Sequence, residues 1–108
     1  MLMPEKIKQQ HMTFNEMLQS NKPVLVDFTA TWCGPCKMMA PILVDVKKEI
    51  GDAVSIIKVD VDNNPQAARE YNIQGVPTLI LFKQGKQVWR QSGVVPKKEL
   101  VQLLQKES

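Results

Sequence analysis

Two cysteines occur in the chain, Cys33 and Cys36, set three positions apart in Trp32-Cys33-Gly34-Pro35-Cys36, between an apolar run and a stretch with helical spacing. On the first turn of a helix, residues i and i+3 share a face with β-carbons roughly 5–6 Å apart, so modest adjustment brings their sulfurs to bonding distance. The chemistry offered is a disulfide that opens and closes with little backbone motion. Two other readings compete: a pair of buried core cysteines, or half of a zinc site. Zinc needs four ligands, and the chain has no third cysteine and a single histidine, His11, outside any ligand spacing. Reversible dithiol chemistry is the reading these residues favour, with no metal.

The roles of the two sulfurs follow from where the helix starts. Cys33 is expected at the N-terminus of a helix running from Cys33 to about Ile50, where unpaired N–H groups and the helix dipole stabilise a thiolate over a thiol. A free thiol with pKa near 8.5 is mostly protonated at neutral pH, and attack on a disulfide needs the thiolate. Cys36, one turn further in, is expected to be more buried and less acidic. Cys33 is thus the attacking nucleophile and Cys36 the resolving thiol. Pro35 suits the first helical turn, where its missing donor costs little, and it stiffens the loop that must close. Gly34 leaves room for an approaching target chain.

The elements that must position this pair read out of the apolar pattern. Val24 to Phe28 is apolar on both alternating faces, as a central strand covered by helices on each side requires, with Asp27 as its anomaly. Met38, Met39, Ile42, Leu43 and Val46 fit a 3.6 period, Pro41 interrupts it, and Gly51 closes it. Val54 to Asp60 reads as a second core strand, and Asn64-Pro65 starts a helix through about Tyr71. Thr78–Phe82 and Gln87–Ser92 read as a hairpin joined through Gln84-Gly85. Pro96 opens a last helix with Leu100, Leu103 and Leu104 as its buried stripe. Near the start, Thr13 and Glu16 form a capping-box pattern for a helix over Thr13–Ser20, and Lys6–Gln10 is a candidate edge strand. The order is β-α-β-α-β-α-β-β-α, an α/β fold with a mixed sheet and helices on both faces.

Composition bounds the rest. The 108 residues suffice for one domain over 1–108 that buries roughly two thirds of its unfolded surface. With 44% hydrophobic and 23% charged residues, the chain has the make-up of a globular protein and not of a disordered one. The net charge of +3 is spread over single lysines and pairs such as Lys47-Lys48 and Lys97-Lys98 beside acidic neighbours, which argues against nucleic acid binding. No run suits a bilayer span or a signal peptide, so a cytoplasmic location is expected and membrane association is not. There thiols are kept reduced, which favours cycling chemistry over a structural bridge. A monomer is the default expectation.

With these motifs in view, the sequence resembles the thioredoxin family of protein disulfide reductases. The resemblance covers nearly the whole chain and is carried by Val26-Asp27-Phe28, Ala30, Trp32 to Met38, Pro41, Lys58-Val59-Asp60, Asn64-Pro65, Gly75-Val76-Pro77-Thr78, Phe82-Lys83 and Gly93. It implies the thioredoxin fold, a central mixed sheet of about five strands flanked by four helices. It also implies that Asp27 lies buried beneath the site and takes the proton of Cys36, with Lys58 near its carboxyl. A carboxyl between apolar residues on a central strand is desolvated, which raises its pKa toward the range of a general base; the competing reading puts Asp27 at a strand end in water.

The resemblance further implies a cis Val76-Pro77 bond facing the sulfurs, where the backbone pairs with an extended target segment. Trp32, Gly75, Val76, Gly93 and Val94 then form an apolar docking surface, although Val76 and Val94 also suit core packing. The implied activity is general protein disulfide reduction without a permanent cofactor. The implied partners are disulfide-containing protein substrates and an NADPH-dependent thioredoxin reductase. An alternative is a scaffold or partner subunit that uses the fold as a binding module. An oxidant or isomerase of an oxidising compartment is disfavoured, because such relatives often carry His between the cysteines. Thr29 stands where the family usually has an aromatic residue, and Val95 precedes Pro96 where a Ser or Thr cap is common. Trp89 is read as a packing residue.

Overall fold

A computed structural model of the chain describes residues 14–108. The candidate edge strand Lys6–Gln10, Thr13 of the capping box and His11 lie outside them. Within the described residues the order is α1 (Phe14–Leu18), β1 (Val24–Thr29), α2 (Gly34–Ile50), a 3-10 turn (Gly51–Ala53), β2 (Ser55–Asp60), α3 (Pro65–Glu70), β3 (Thr78–Lys83), β4 (Lys86–Ser92) and α4 (Lys97–Glu107). The strands form one sheet in the order β2-β1-β3-β4. Pairing is parallel between β1 and β2 and antiparallel between β1 and β3 and between β3 and β4. The mixed sheet and four helices match the expected fold; the fifth expected strand is the one outside the described residues.

β1 sits inside the sheet because both of its faces are apolar. Side chains alternate across a strand, so Leu25 joins Met39, Leu43 and Val46 of α2 and Leu100 and Leu104 of α4 in one core cluster. Val24, Val26 and Phe28 join Leu18, Ile80 and Phe82 in the other, against Phe14 and Tyr71. Phe14, Phe28, Tyr71 and Phe82 meet mostly edge to face, with ring centroids 5.2–6.5 Å apart, the arrangement that aligns a ring's positive edge with its neighbour's negative face. Trp89 packs against the first cluster, as a structural residue does.

Local chemistry ends the elements where the apolar pattern requires. Pro41 lies inside α2 without ending it, and the helix stops at Gly51, whose φ of 66° lets its N–H reach the Lys47 carbonyl. Lys47 Nζ then donates to the Gly51 and Val54 carbonyls at 2.8 and 3.0 Å. At the β3–β4 hairpin both Gln84 and Gly85 have positive φ, 52° and 81°, as a type I′ turn demands of its two central residues. The last helix begins at Lys97 behind Pro96, with no side-chain cap bond. It is held instead by burial of Leu100, Val101 and Leu104.

Two glycines respond in opposite directions. A β-carbon on Gly85 would lie 2.5 Å from Gln19 Nε2 at a φ that L-residues avoid, whereas one on Gly34 meets nothing within 4 Å. Gly85→Ala is expected to cost about 1–2 kcal/mol and Gly34→Ala to leave stability unchanged or raise it by up to about 1 kcal/mol. Urea denaturation of each variant measures both.

Candidate active site

The β1–α2 connection places the cysteines. β1 ends at Thr29, four residues turn over its carboxyl end, and α2 starts at Gly34 with Cys33 as its N-cap in extended conformation (φ −92°, ψ 116°). Pro35 lies in the first turn, as its fixed φ and missing donor favour. Cys33 and Cys36 form a disulfide, with Cα atoms 5.3 Å apart. The Cys36 amide donates to Cys33 Sγ at 3.1 Å, the contact that a Ser or Asp oxygen makes at an N-cap. An orphan helix N–H is thus aimed at sulfur, and it stabilises negative charge there once the disulfide is opened.

Burial does not distinguish the two residues. The expectation that Cys36 is the more buried is corrected by exposures of 3% for Cys33 and 5% for Cys36. Ala30 from the β1–α2 loop is buried with both cysteines, and Val61 and Val76 from two other loops pack against this cluster, so being first in the helix does not make Cys33 the more open. The asymmetry lies in contacts: Cys33 Sγ receives the Cys36 N–H and lies 3.6 Å from the Val76 carbonyl oxygen.

Asp27 is buried, at 1% exposure, and its Oδ1 has no hydrogen-bond partner. It shares a sheet face with Leu25 and therefore points toward the α2 side. Burial pushes its carboxyl up from the usual 3.8 to about 6, while the positive charge of Lys58 pulls the other way. Lys58 stands opposite it in the β1–β2 register. Thr29 lines an open cleft of about 380 Å³ together with Cys36, Lys37, Lys58 and Asp60.

The remaining expected residues gather around the sulfurs from three loops. The Val76-Pro77 bond is cis, Pro77 is buried and Gly75 is exposed. Val76 is half-buried against the cysteines, and Val94 is half-buried against the main core. Gly93, at φ 92°, donates its N–H to the Pro77 carbonyl at 2.8 Å. Trp32 is 69% exposed, its indole N–H donating to Asp62 Oδ2 at 2.8 Å. A hollow of about 130 Å³ lies between Trp32, Val61, Ile73 and Val76.

Asp62, Val61 and Ile73 are not legible as site neighbours in the sequence. Their only signal is position, just past the carboxyl end of a parallel strand or just before the Val76-Pro77 turn, where α/β sheets gather their sites. Among the described residues no group of three or more His, Cys, Asp or Glu could hold a metal ion, and no helix is long and apolar enough to cross a membrane.

A Cys-x-x-Cys disulfide at a helix start, on a mixed sheet, is the centre of a dithiol–disulfide oxidoreductase. The family model for thioredoxin matches residues 5–106. A thioredoxin-like protein of Synechocystis is 52% identical over 100 residues, covering 92% of this chain and 95% of its own. Thioredoxins of Rickettsia typhi and Mycobacterium tuberculosis are 45% identical over 92 residues and 51% over 89, covering 85% and 82% of this chain and 88% and 77% of theirs. The chain belongs to the thioredoxin family.

The state of Asp27 sets a pH dependence of stability. Its carboxyl is more easily protonated in the folded protein than in the unfolded chain, so the part of its burial cost that comes from ionisation is absent below pH 3.8 and accumulates as pH rises from there through about 6. The full penalty above that range is about 3 kcal/mol. Asp27→Asn is expected to gain about 2–3 kcal/mol over the native chain at pH 8 relative to the difference at pH 4, measured by chemical denaturation.

Proposed function

We propose that the chain is a general protein disulfide reductase in which Cys33 attacks and Cys36 resolves. The observation that carries this assignment is the Cys36 N–H directed at Cys33 Sγ at the start of α2. In the reduced protein the Cys33 thiolate attacks one sulfur of a target disulfide. A Cys33–target bond forms, and the other target sulfur leaves as a thiolate and takes a proton. Cys36 then loses its proton to the Asp27 carboxylate and attacks Cys33 Sγ. The second target sulfur is expelled, and the Cys33–Cys36 disulfide remains. Two electrons pass to the target, which ends as a dithiol.

Asp27 fits the base role because a carboxyl titrating at about 6 is ionised at neutral pH yet basic enough to accept a thiol proton. Lys58 helps keep it ionised, and the cleft at Thr29 offers water a route to Cys36. Trp32, Gly75, Val76, Pro77, Gly93 and Val94 form the docking face, with Gly34 and Pro35 giving a low, stiff approach to sulfur. An extended target segment pairs there with the backbone beside Val76, which serves many sequences because main-chain bonds read little of the side chains. The hollow between Trp32 and Val76 suits one apolar target side chain.

The same reading takes 1–108 as one functional unit, a cytoplasmic monomer without a bound cofactor, returned to the dithiol by an NADPH-dependent thioredoxin reductase. A relative in Mycobacterium leprae, 50% identical over 88 residues, is named a bifunctional thioredoxin reductase/thioredoxin, which supports a reductase as partner. Relatives in rice and Arabidopsis are named chloroplastic, so the compartment is a property of each chain.

Insulin reduction driven by dithiothreitol is expected to proceed with the native chain and to fall at least about a hundredfold with Cys33→Ser, which removes the attacking thiolate. Cys36→Ser is expected to accumulate a target bound through Cys33, identified by mass spectrometry. Capture by Cys33→Ser through Cys36 at a comparable rate would reverse the roles. In the reduced protein, the alkylation rate of Cys33 against pH should show a midpoint below the ~8.5 of a free thiol.

A further inference from the structure

Two side chains of the edge strand β4 reach into the segment that carries the docking face. Arg90 donates from Nη1 to the Tyr71 carbonyl at 2.5 Å and from Nη2 to the Asn72 carbonyl at 2.7 Å. Ser92, two residues on and therefore on the same face of the strand, stands opposite Thr78 in the β3–β4 register. Its Oγ lies 2.9 Å from Thr78 Oγ1, and Thr78 Oγ1 donates to the Gly75 carbonyl at 2.6 Å. A hydroxyl has one hydrogen, so with Thr78 giving its own to Gly75, the hydrogen between the two hydroxyls comes from Ser92.

We propose that Arg90 and Ser92 are positioning residues: one holds the start of the segment from Tyr71 to Pro77 and the other its end, and together they set the docking edge for extended protein targets. This rests on the reading that targets pair with the backbone beside Val76. The segment needs such a device. α3 is only six residues long, Asn72 has a φ of 52°, and Gly75 is exposed, with open space for 4 Å around the place a β-carbon would take. Val76 packs on the cysteine cluster, but the open space around Gly75 leaves its carbonyl to be fixed by hydrogen bonds, and β4, the strand that anchors them, is held along β3 by antiparallel pairing. A guanidinium with two donors in a fixed fork holds two successive carbonyls in one orientation, which a lysine ammonium does not reproduce. The Ser92–Thr78–Gly75 chain polarises in one direction, each bond strengthening the next. Neither residue contacts a sulfur, so their effect falls on how a target is held and not on the thiol chemistry.

The test compares two oxidants of the reduced protein: insulin, which offers a chain to pair with, and 5,5′-dithiobis(2-nitrobenzoate), a small disulfide that offers none. In Arg90→Ala and Ser92→Ala, the ratio of the insulin rate constant to the small-disulfide rate constant is expected to fall about fivefold, the loss of roughly one net hydrogen bond, through KM and not kcat. Arg90→Lys should behave like Arg90→Ala, and Ser92→Thr, which keeps the hydroxyl, should recover the native ratio. Amide exchange at Gly75 and Val76 should quicken in both alanine variants, while α2 and α4 amides keep their native rates. A ratio that stays native, or two rates that fall together with faster exchange throughout the protein, would overturn the proposal. If the native chain itself reduced insulin no faster than a Cys33→Ser variant, the parent reading would fail, and with it the clamp.

Discussion

The Cys36 amide hydrogen directed at Cys33 Sγ, across 3.1 Å from nitrogen to sulfur, is the contact on which the rest of the molecule converges. It exists because a helix has donors at its start with no partner inside the helix, and because Cys33 occupies the one position whose side chain can reach them. The sheet makes that position fixed. β1 is buried on both faces, so the point where the chain leaves it for α2 cannot drift, and Met39, Leu43 and Val46 lock α2 against the same sheet.

Against this rigid frame the molecule retains one interaction that works against folding. Asp27 takes a place on β1 that an apolar residue would fill at lower cost, and one of its oxygens is unpartnered. Desolvation raises its carboxyl pKa, and the charge of Lys58 limits the rise to about 6. The balance leaves a carboxylate that is ionised near neutral pH and still basic. A more exposed carboxyl would be too weak a base, and a fully isolated one would stay protonated.

Around the sulfurs the surface is built from backbone groups and a few apolar side chains and not from a deep pocket. The Val76 carbonyl stands 3.6 Å from Cys33 Sγ, the Gly93 amide braces Pro77, and Trp32 is steadied by Asp62 while remaining mostly exposed. These contacts come from three loops at one end of the sheet. The common feature is an apolar rim with main-chain polar groups, the combination on which the proposed docking of an extended target rests.

The sequence determined what depends on near neighbours. The Cys-Gly-Pro-Cys spacing, the apolar strand through Val24–Phe28, the 3.6-residue period of α2 and the turn at Gln84-Gly85 are local patterns, and the elements formed where those patterns lie. A buried acid on β1 was visible because Asp27 breaks an otherwise apolar strand. The tertiary structure decided what depends on meetings across the chain. It made Cys33 as buried as Cys36 by gathering both with Ala30 into one cluster against which Val61 and Val76 pack. It gave the Trp32 indole its partner thirty residues away at Asp62, and it joined Arg90 of β4 to the carbonyls of Tyr71 and Asn72. Periodicity tells which face of an element is apolar; it carries no information about which polar groups from distant segments stand within hydrogen-bond reach, because that is fixed only when the sheet order and register bring them together.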